Sequence, residues 1–174
     1  MLPFLELPII NYFGYKFFAD QLFGDLLKTS SHSLVAVKQP VVFQPNSTII
    51  EERQNQRGIY ILRKGKARVV INPLDGNTKV DRKVEKNEVL GLCATISDLP
   101  YEFTVETIAQ CQTDFISGDN LISLISKEEI IRNRLIHLLS DALHCTYCDL
   151  RSSRHSRMLR RHFRPTQTKQ NKTR

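Results

Sequence analysis

The sequence predicts a mainly-β domain, a small antiparallel β-roll of the jelly-roll or barrel kind, with helices on either side. Three observations carry that expectation. Between residues 34 and 116, short apolar runs are separated by turn residues, the pattern of an all-β sandwich, jelly roll or barrel. The segment up to Leu27 is rich in apolar and aromatic residues, among them Phe4, Tyr12, Phe13, Tyr15, Phe17, Phe18 and Phe23. After Gly118 the apolar residues recur in steps of three and four, the helical period.

Residues 1–30 read as helices lying on a core, followed by a Ser-rich break at residues 29–33. Short apolar runs at 34–37 and 41–43 flank Pro40, and Pro45-Asn46-Ser47 is a turn. Ile49-Ile50 is a short strand, and residues 51–57 are a polar loop. Gly58-Ile59-Tyr60-Ile61-Leu62 is β-rich, and Lys64-Gly65-Lys66 predicts a tight hairpin into residues 67–71. Asp75-Gly76 is a second hairpin signal. Residues 89–92, 103–107 and 113–116 complete a set of six to eight short strands. Asp119 is placed to cap a short helix carrying Leu121, Ile122, Leu124 and Ile125. Ser126-Lys127-Glu128-Glu129 matches a capping box, which predicts a long helix after it. On that helix Ile131, Leu135, Leu138, Ala142 and Cys145 form a heptad-like seam. Such a seam packs either on its own barrel or on a second copy. Because Ile130, Ile136 and Leu139 offer the barrel another face, we expect a homodimer whose interface is Ile131, Leu135, Leu138 and Ala142. The expected organisation is a helical segment at 1–30, a β-roll at 31–118, helices at 119–150 and a basic, disordered tail at 151–174.

The composition narrows the class. A chain of 174 residues holds one domain with a real core. No run of about 18 apolar residues occurs, so no membrane span is expected. Glu6, Lys16 and Asp20 interrupt the N-terminal segment, Pro3 and Pro8 break its start, and it lacks the basic opening of an export signal. The four cysteines are therefore expected to be reduced thiols in a cytoplasmic protein. The net charge is +7, yet residues 151–174 hold nine basic residues and no acidic one, which leaves the body at −2. No nucleophile elbow, P-loop or Gly-rich dinucleotide turn is present, so no enzyme is expected.

Residues 58–71, Gly-Ile-Tyr-Ile-Leu-Arg-Lys-Gly-Lys-Ala-Arg-Val-Val-Ile, together with the upstream Phe43-Gln-Pro-Asn-Ser-Thr-Ile49, resemble the central hairpin of cyclic-nucleotide-binding domains and the turn before it. Downstream, Glu88-Val-Leu-Gly-Leu-Cys-Ala94 and Pro100-Tyr-Glu-Phe-Thr-Val-Glu-Thr107 resemble the phosphate-binding cassette. Over residues 20–150 the order of elements is similar to the sensor domain of bacterial transcription regulators of the catabolite-activator/FNR (Crp/Fnr) family. The resemblance implies a β-roll, pairing through the long C-terminal helix, and a pocket at Gly91, Leu92, Cys93, Ala94, Pro100, Tyr101, Phe103 and Thr104. In that family a cassette glutamate accepts the ribose hydroxyl and a cassette arginine pairs with the cyclic phosphate. Here Gly91, Ala94, Pro100 and Thr104 stand in register, but Leu92 replaces the glutamate and Tyr101 the arginine. Enclosing a phosphate without a guanidinium partner is costly. The cassette is therefore degenerate and cyclic AMP is not the expected ligand. The pocket either takes another small-molecule effector or is filled by side chains. Regulators of this type continue into a helix-turn-helix, whereas the 24 residues after Leu150 are polar and basic and include Pro165. A DNA-reading half is not expected in the chain.

Two constellations remain. His137, His144, Cys145 and Cys148 lie on the long helix. Either they are partly buried thiols on a dimer helix or they serve a redox or metal role; no metal and no cofactor are expected. Cys93 and Cys111 read as small core residues. In the tail Arg151, Arg154, Arg157, Arg160, Arg161 and Arg164 are either a solvated end or a weak, non-specific handle for nucleic acid. The leading expectation is a ligand-sensing and dimerising module of a transcription regulator. The alternatives are a nucleic-acid-associated protein working through its tail, and a truncated relic.

Overall fold

A computed structural model describes residues 16–23, 32–71 and 80–162. Two antiparallel sheets form the roll. The first runs in the order β1 (Phe17–Phe18), β7 (Glu88–Leu90), β4 (Gly58–Lys64), β9 (Cys111–Ser117), β2 (Gln39–Phe43). The second runs β3 (Thr48–Ile50), β8 (Thr104–Thr107), β5 (Ala67–Ile71), β6 (Val80–Lys83). The helices are α1 (Ala19–Phe23), α2 (His32–Val37), α3 (Leu92–Ser97), α4 (Gly118–Lys127) and α5 (Glu129–His162).

The central strand explains the arrangement. Successive side chains of a strand point to opposite faces, and β4 has a buried layer on each side. Ile59 and Ile61 join a cluster with Ala19, Leu22, Phe23, Leu121, Leu124 and Ile131, which fills the space between the first sheet and the helices. Leu62, flanked by the half-buried Tyr60, joins Ile50, Val69, Leu90, Val105 and Cys111 between the two sheets. Burial on both faces is why the run Ile-Tyr-Ile-Leu is continuously apolar rather than alternating. The strand starts at Gly58, where φ is +149° and an added Cβ would lie 2.1 Å from the Ile116 carbonyl oxygen. Only glycine permits that close pairing with β9.

Several local expectations are corrected. Residues 32–37 are helical, because Leu34 packs inward against the helical layer rather than pairing in a ladder. Lys64-Gly65-Lys66 does not close a paired hairpin: β4 pairs with β7 and β9, β5 with β6 and β8, so the turn carries the chain from one sheet to the other. The strands flanking Asp75-Gly76 do pair, Ile71 opposite Val80; the turn itself, the expected helix before residue 16 and the tail after residue 162 lie outside the described residues. Ser117, not Asp119, caps α4, its hydroxyl accepting the Asn120 N–H. The capping box does not form, since Ser126 is inside α4 and its hydroxyl donates to the Ile122 carbonyl at 2.8 Å. The basic segment is also not irregular from residue 151, because α5 continues to His162.

The largest correction concerns the helical seam. Ile131, Leu135 and Leu138 are buried in the chain's own core, in one cluster with α1 and α4. The exposed apolar stripe of α5 is instead Ile136 (59% exposed), Leu143 (72%) and Tyr147 (60%), about a third of a turn around the helix. Ile130 is also exposed, and only Leu139 of the face reserved for the barrel packs against the core. The helical period was read correctly, but an amphipathic stripe does not name the surface that covers it.

Candidate functional site

The end of β7 turns sharply into α3. Gly91 adopts φ +79° at the N-cap, and an added Cβ would stand 2.7 Å from the Tyr101 ring. The Thr95 hydroxyl donates to the Gly91 carbonyl at 2.8 Å and holds the first turn. Asp98, at φ 52°, ends the helix. The chain then returns through residues 99–103, which clasp the polar loop opposite. The Arg53 N–H donates to the Tyr101 carbonyl at 2.8 Å, the Tyr101 N–H to the Gln54 carbonyl at 3.0 Å, and the Gln56 side-chain amide to Asp98 at 3.1 Å.

Tyr101 is the decisive side chain. It is 3% exposed and belongs to the cluster between the sheets. Its hydroxyl donates to the Gly58 carbonyl at 2.7 Å and accepts from the Arg57 and Gly58 N–H groups at 3.1 and 3.3 Å. The residue expected at the cassette's arginine position is thus turned inward and tied to the start of β4. It does not line the cavity beside the cassette, as the sequence led us to expect.

That cavity, of about 360 Å³, lies between β7, the start of α3, the loop at Phe103 and the middle of α5. Of the eight expected pocket residues, Gly91, Leu92, Cys93 and Phe103 line it. The other four do not: Ala94 and Tyr101 are core residues, Pro100 is exposed, and Thr104 is half-buried, its hydroxyl accepting the Glu52 N–H at 3.1 Å. Ala142, expected at a dimer seam, lines the cavity together with Leu139, Leu143 and Thr146.

Three charged residues that sequence reasoning missed also line the cavity: Arg82, Glu88 and the exposed Glu102. Glu88 is 1% exposed, and its carboxylate accepts from the Arg82 guanidinium at 2.7 Å and from the Glu85 N–H at 2.9 Å. Arg82 sits on β6 and Glu88 on β7, strands of different sheets. No spacing rule in the sequence signals that pairing; a lone Glu opening an apolar strand was the only hint. The Nε of Arg82 is buried and has no hydrogen-bond partner among the described residues. Cys93 is half-buried, and burial, then the nearby Glu102 carboxylate, push its thiol above the usual range. It is a protonated, soft wall of the cavity at neutral pH rather than a nucleophile.

On the outer face of α5, Cys145 and Cys148 are exposed rather than partly buried, and Cys148 Sγ is 3.6 Å from His144 Nε2. Among the described residues no group of three or more His, Cys, Asp or Glu is placed to hold a metal ion. Nor, among them, is any helix long and apolar enough to cross a membrane.

Comparison with known proteins places this geometry. The protein resembles the potassium channel KAT3 of Oryza sativa subsp. japonica, with 28% identity over 118 residues; the match covers 66% of this chain but 23% of the channel. Among solved structures, the catabolite activator protein of Thermus thermophilus superposes with a TM-score of 0.67 at 16% identity, over 78% of this chain and 63% of that one. The sensor domain of the transcriptional regulator DNR from Pseudomonas aeruginosa superposes with 0.62 at 17% identity, over 71% and 83%. The N-terminal domain of a transcriptional regulator from Streptomyces coelicolor A3(2) gives 0.61 at 18%, over 74% and 91%. These likenesses are of fold. The model of the cyclic nucleotide-binding domain matches residues 40–128, just over half of the sequence, and the chain belongs to that family.

Proposed function

We propose that the protein is the sensing and dimerising module of a Crp/Fnr-type regulator whose cassette no longer takes cyclic AMP or cyclic GMP. It works inside the cell with its thiols reduced, and it is not an enzyme. The observation that carries this reading is Tyr101. The family's phosphate-binding arginine is replaced by a phenol held inward by three hydrogen bonds. The family's ribose acceptor is replaced by Leu92, which is buried in the cavity wall. A cyclic phosphate in this cavity would leave water without a new cation to meet it. Calorimetry tests the reading: neither cyclic nucleotide binds tighter than about millimolar, roughly −4 kcal/mol, and a micromolar constant for either refutes it.

The dimer reading is retained with a changed interface. Ile136, Leu143 and Tyr147 give α5 an exposed apolar stripe, an association liability in water unless a partner covers it, and the Crp/Fnr family pairs through this helix. A symmetric pairing of two α5 stripes satisfies the requirement. The charge distribution supports a second role, weak binding of nucleic acid by the basic segment. All nine cations of residues 151–174 follow a body of −2, and the first of them, Arg151, is exposed on α5. Retention on a phosphate matrix that weakens steeply with salt and disappears when residues 151–174 are deleted supports it; retention by the shortened chain refutes it.

A further inference from the structure

We infer that the cavity between the cassette and α5 is a binding site for an uncharged, mostly apolar small molecule; this rests on the sensing role proposed above and specifies its ligand. Charge and lining decide which ligand fits. Apart from Arg82, Glu88 and Glu102, the walls are hydrocarbon, aromatic or weakly polar groups, with Phe17, Leu92, Phe103 and Leu139 the largest of them. A cavity of about 360 Å³ falls in the lower part of the range of small-molecule sites, roughly 300–1,000 Å³.

Among the described residues Arg82 is the only cation in the lining, and its charge is already taken. The guanidinium meets the Glu88 carboxylate at 2.7 Å, and that carboxylate is 1% exposed and also held by the Glu85 N–H. An anionic ligand would have to compete with a fixed internal carboxylate, and Glu102 adds a further negative charge to the wall. Taking an anion out of water against that balance is costly. A cationic ligand would meet the exposed Glu102, but the deep wall of Leu90, Leu92 and Phe103 offers its charge nothing. A neutral molecule escapes both penalties. The far wall is α5, at Leu139, Ala142, Leu143 and Thr146. Leu143 also belongs to the exposed stripe, so an occupant touches the same helix that presents the dimerising face.

The probe is Prodan, an uncharged naphthyl ketone whose emission shifts to the blue in apolar surroundings. Its anionic comparator is 8-anilinonaphthalene-1-sulfonate, and both are titrated into the full chain. We expect saturable Prodan binding in the micromolar range and at least a tenfold weaker constant for the sulfonate. Ala142→Trp, which fills the cavity from the helix side, weakens Prodan at least tenfold. A second measurement does not depend on how that variant folds. In a Cys145→Ser, Cys148→Ser background, saturating Prodan slows alkylation of Cys93 at least fivefold and leaves that of the buried Cys111 unchanged. Absence of saturable Prodan binding, unchanged Cys93 reactivity, or preference for the sulfonate overturns the inference. Micromolar binding of cyclic AMP would overturn the underlying reading instead, so the two failures are told apart.

Discussion

Replacing Tyr101 with phenylalanine removes one oxygen atom and leaves the ring on which Gly91 packs. The site is 3% exposed, and that oxygen makes three hydrogen bonds. The Arg57 N–H belongs to an exposed loop residue, so water replaces its lost partner. Gly58 is buried, and its carbonyl and N–H lose the hydroxyl without access to water. A hydrogen bond contributes about 1 kcal/mol net, and a buried group left unpaired costs about 1–3 kcal/mol. The expected loss is therefore about 2 kcal/mol. For a chain of this size that lowers the Tm by about 4–8 °C. It also moves the urea midpoint without changing the slope. Ile108→Val, at a 49% exposed position outside the α5 stripe, is the control and stays within about 0.5 kcal/mol of wild type. If Tyr101→Phe is as neutral as that control, the hydroxyl is not what holds the cassette loop to β4, and the account of the closed phosphate site fails. Tyr101→Arg extends the test. It restores the family's residue but forces a guanidinium into the interior or out into the cavity, with Leu92 still beside it. We expect a loss larger than that of the phenylalanine variant and no gain of cyclic-nucleotide binding.

Other expectations follow from burial. Ile136→Asp places a carboxylate on the exposed stripe and shifts a dimer to monomer in sedimentation with little change in unfolding midpoint. Leu138→Asp, at a buried core position, instead destabilises each copy by several kcal/mol; equal effects of the two on assembly would refute the assignment of faces. Gly58→Ala adds a Cβ 2.1 Å from a backbone oxygen at φ +149° and costs upwards of about 3 kcal/mol by denaturant titration. Among the four thiols, Cys145 and Cys148 react quickly with Ellman's reagent, while Cys93 and Cys111 react slowly. Burial, the largest cause in both, raises the pKa of Cys93 and Cys111, so the folded chain holds those protons more tightly than the unfolded one. The stability this adds is fully present below the ordinary thiol value of about 8.5 and is lost as the pH rises through it toward the raised folded values. A Cys93→Ser, Cys111→Ser variant has a flatter stability profile between about pH 8 and 10, and an identical profile would refute the shift.

By itself the sequence determined what local rules govern. Apolar runs parted by turn residues specify strands because a strand needs only a few residues and a turn a particular chemistry, as at Pro45-Asn46-Ser47 and around Gly58. The 3–4 spacing after Gly118 specifies helix because it is a property of one element. The register proposed for Leu92 and Tyr101 rests on a contiguous stretch of sequence, which can be counted without knowing what packs against it. Tertiary structure decided everything that depends on which surface meets which. Ile131, Leu135 and Leu138 form a good seam whether the partner is the chain's own core or a second copy, since burial of an apolar stripe is non-directional; only the packing of α1 and α4 against it settles the matter. Lys64-Gly65-Lys66 has hairpin residues, yet the chain crosses between sheets there, because pairing is set by register across the roll and not by the turn. Tyr101, expected at the arginine's place, does not line the cavity, because its hydroxyl finds the buried Gly58 backbone. Arg82 and Glu88 are close in sequence, but they meet because the chain passes between them from β6 of one sheet to β7 of the other, and such a crossing leaves no periodic trace in the sequence.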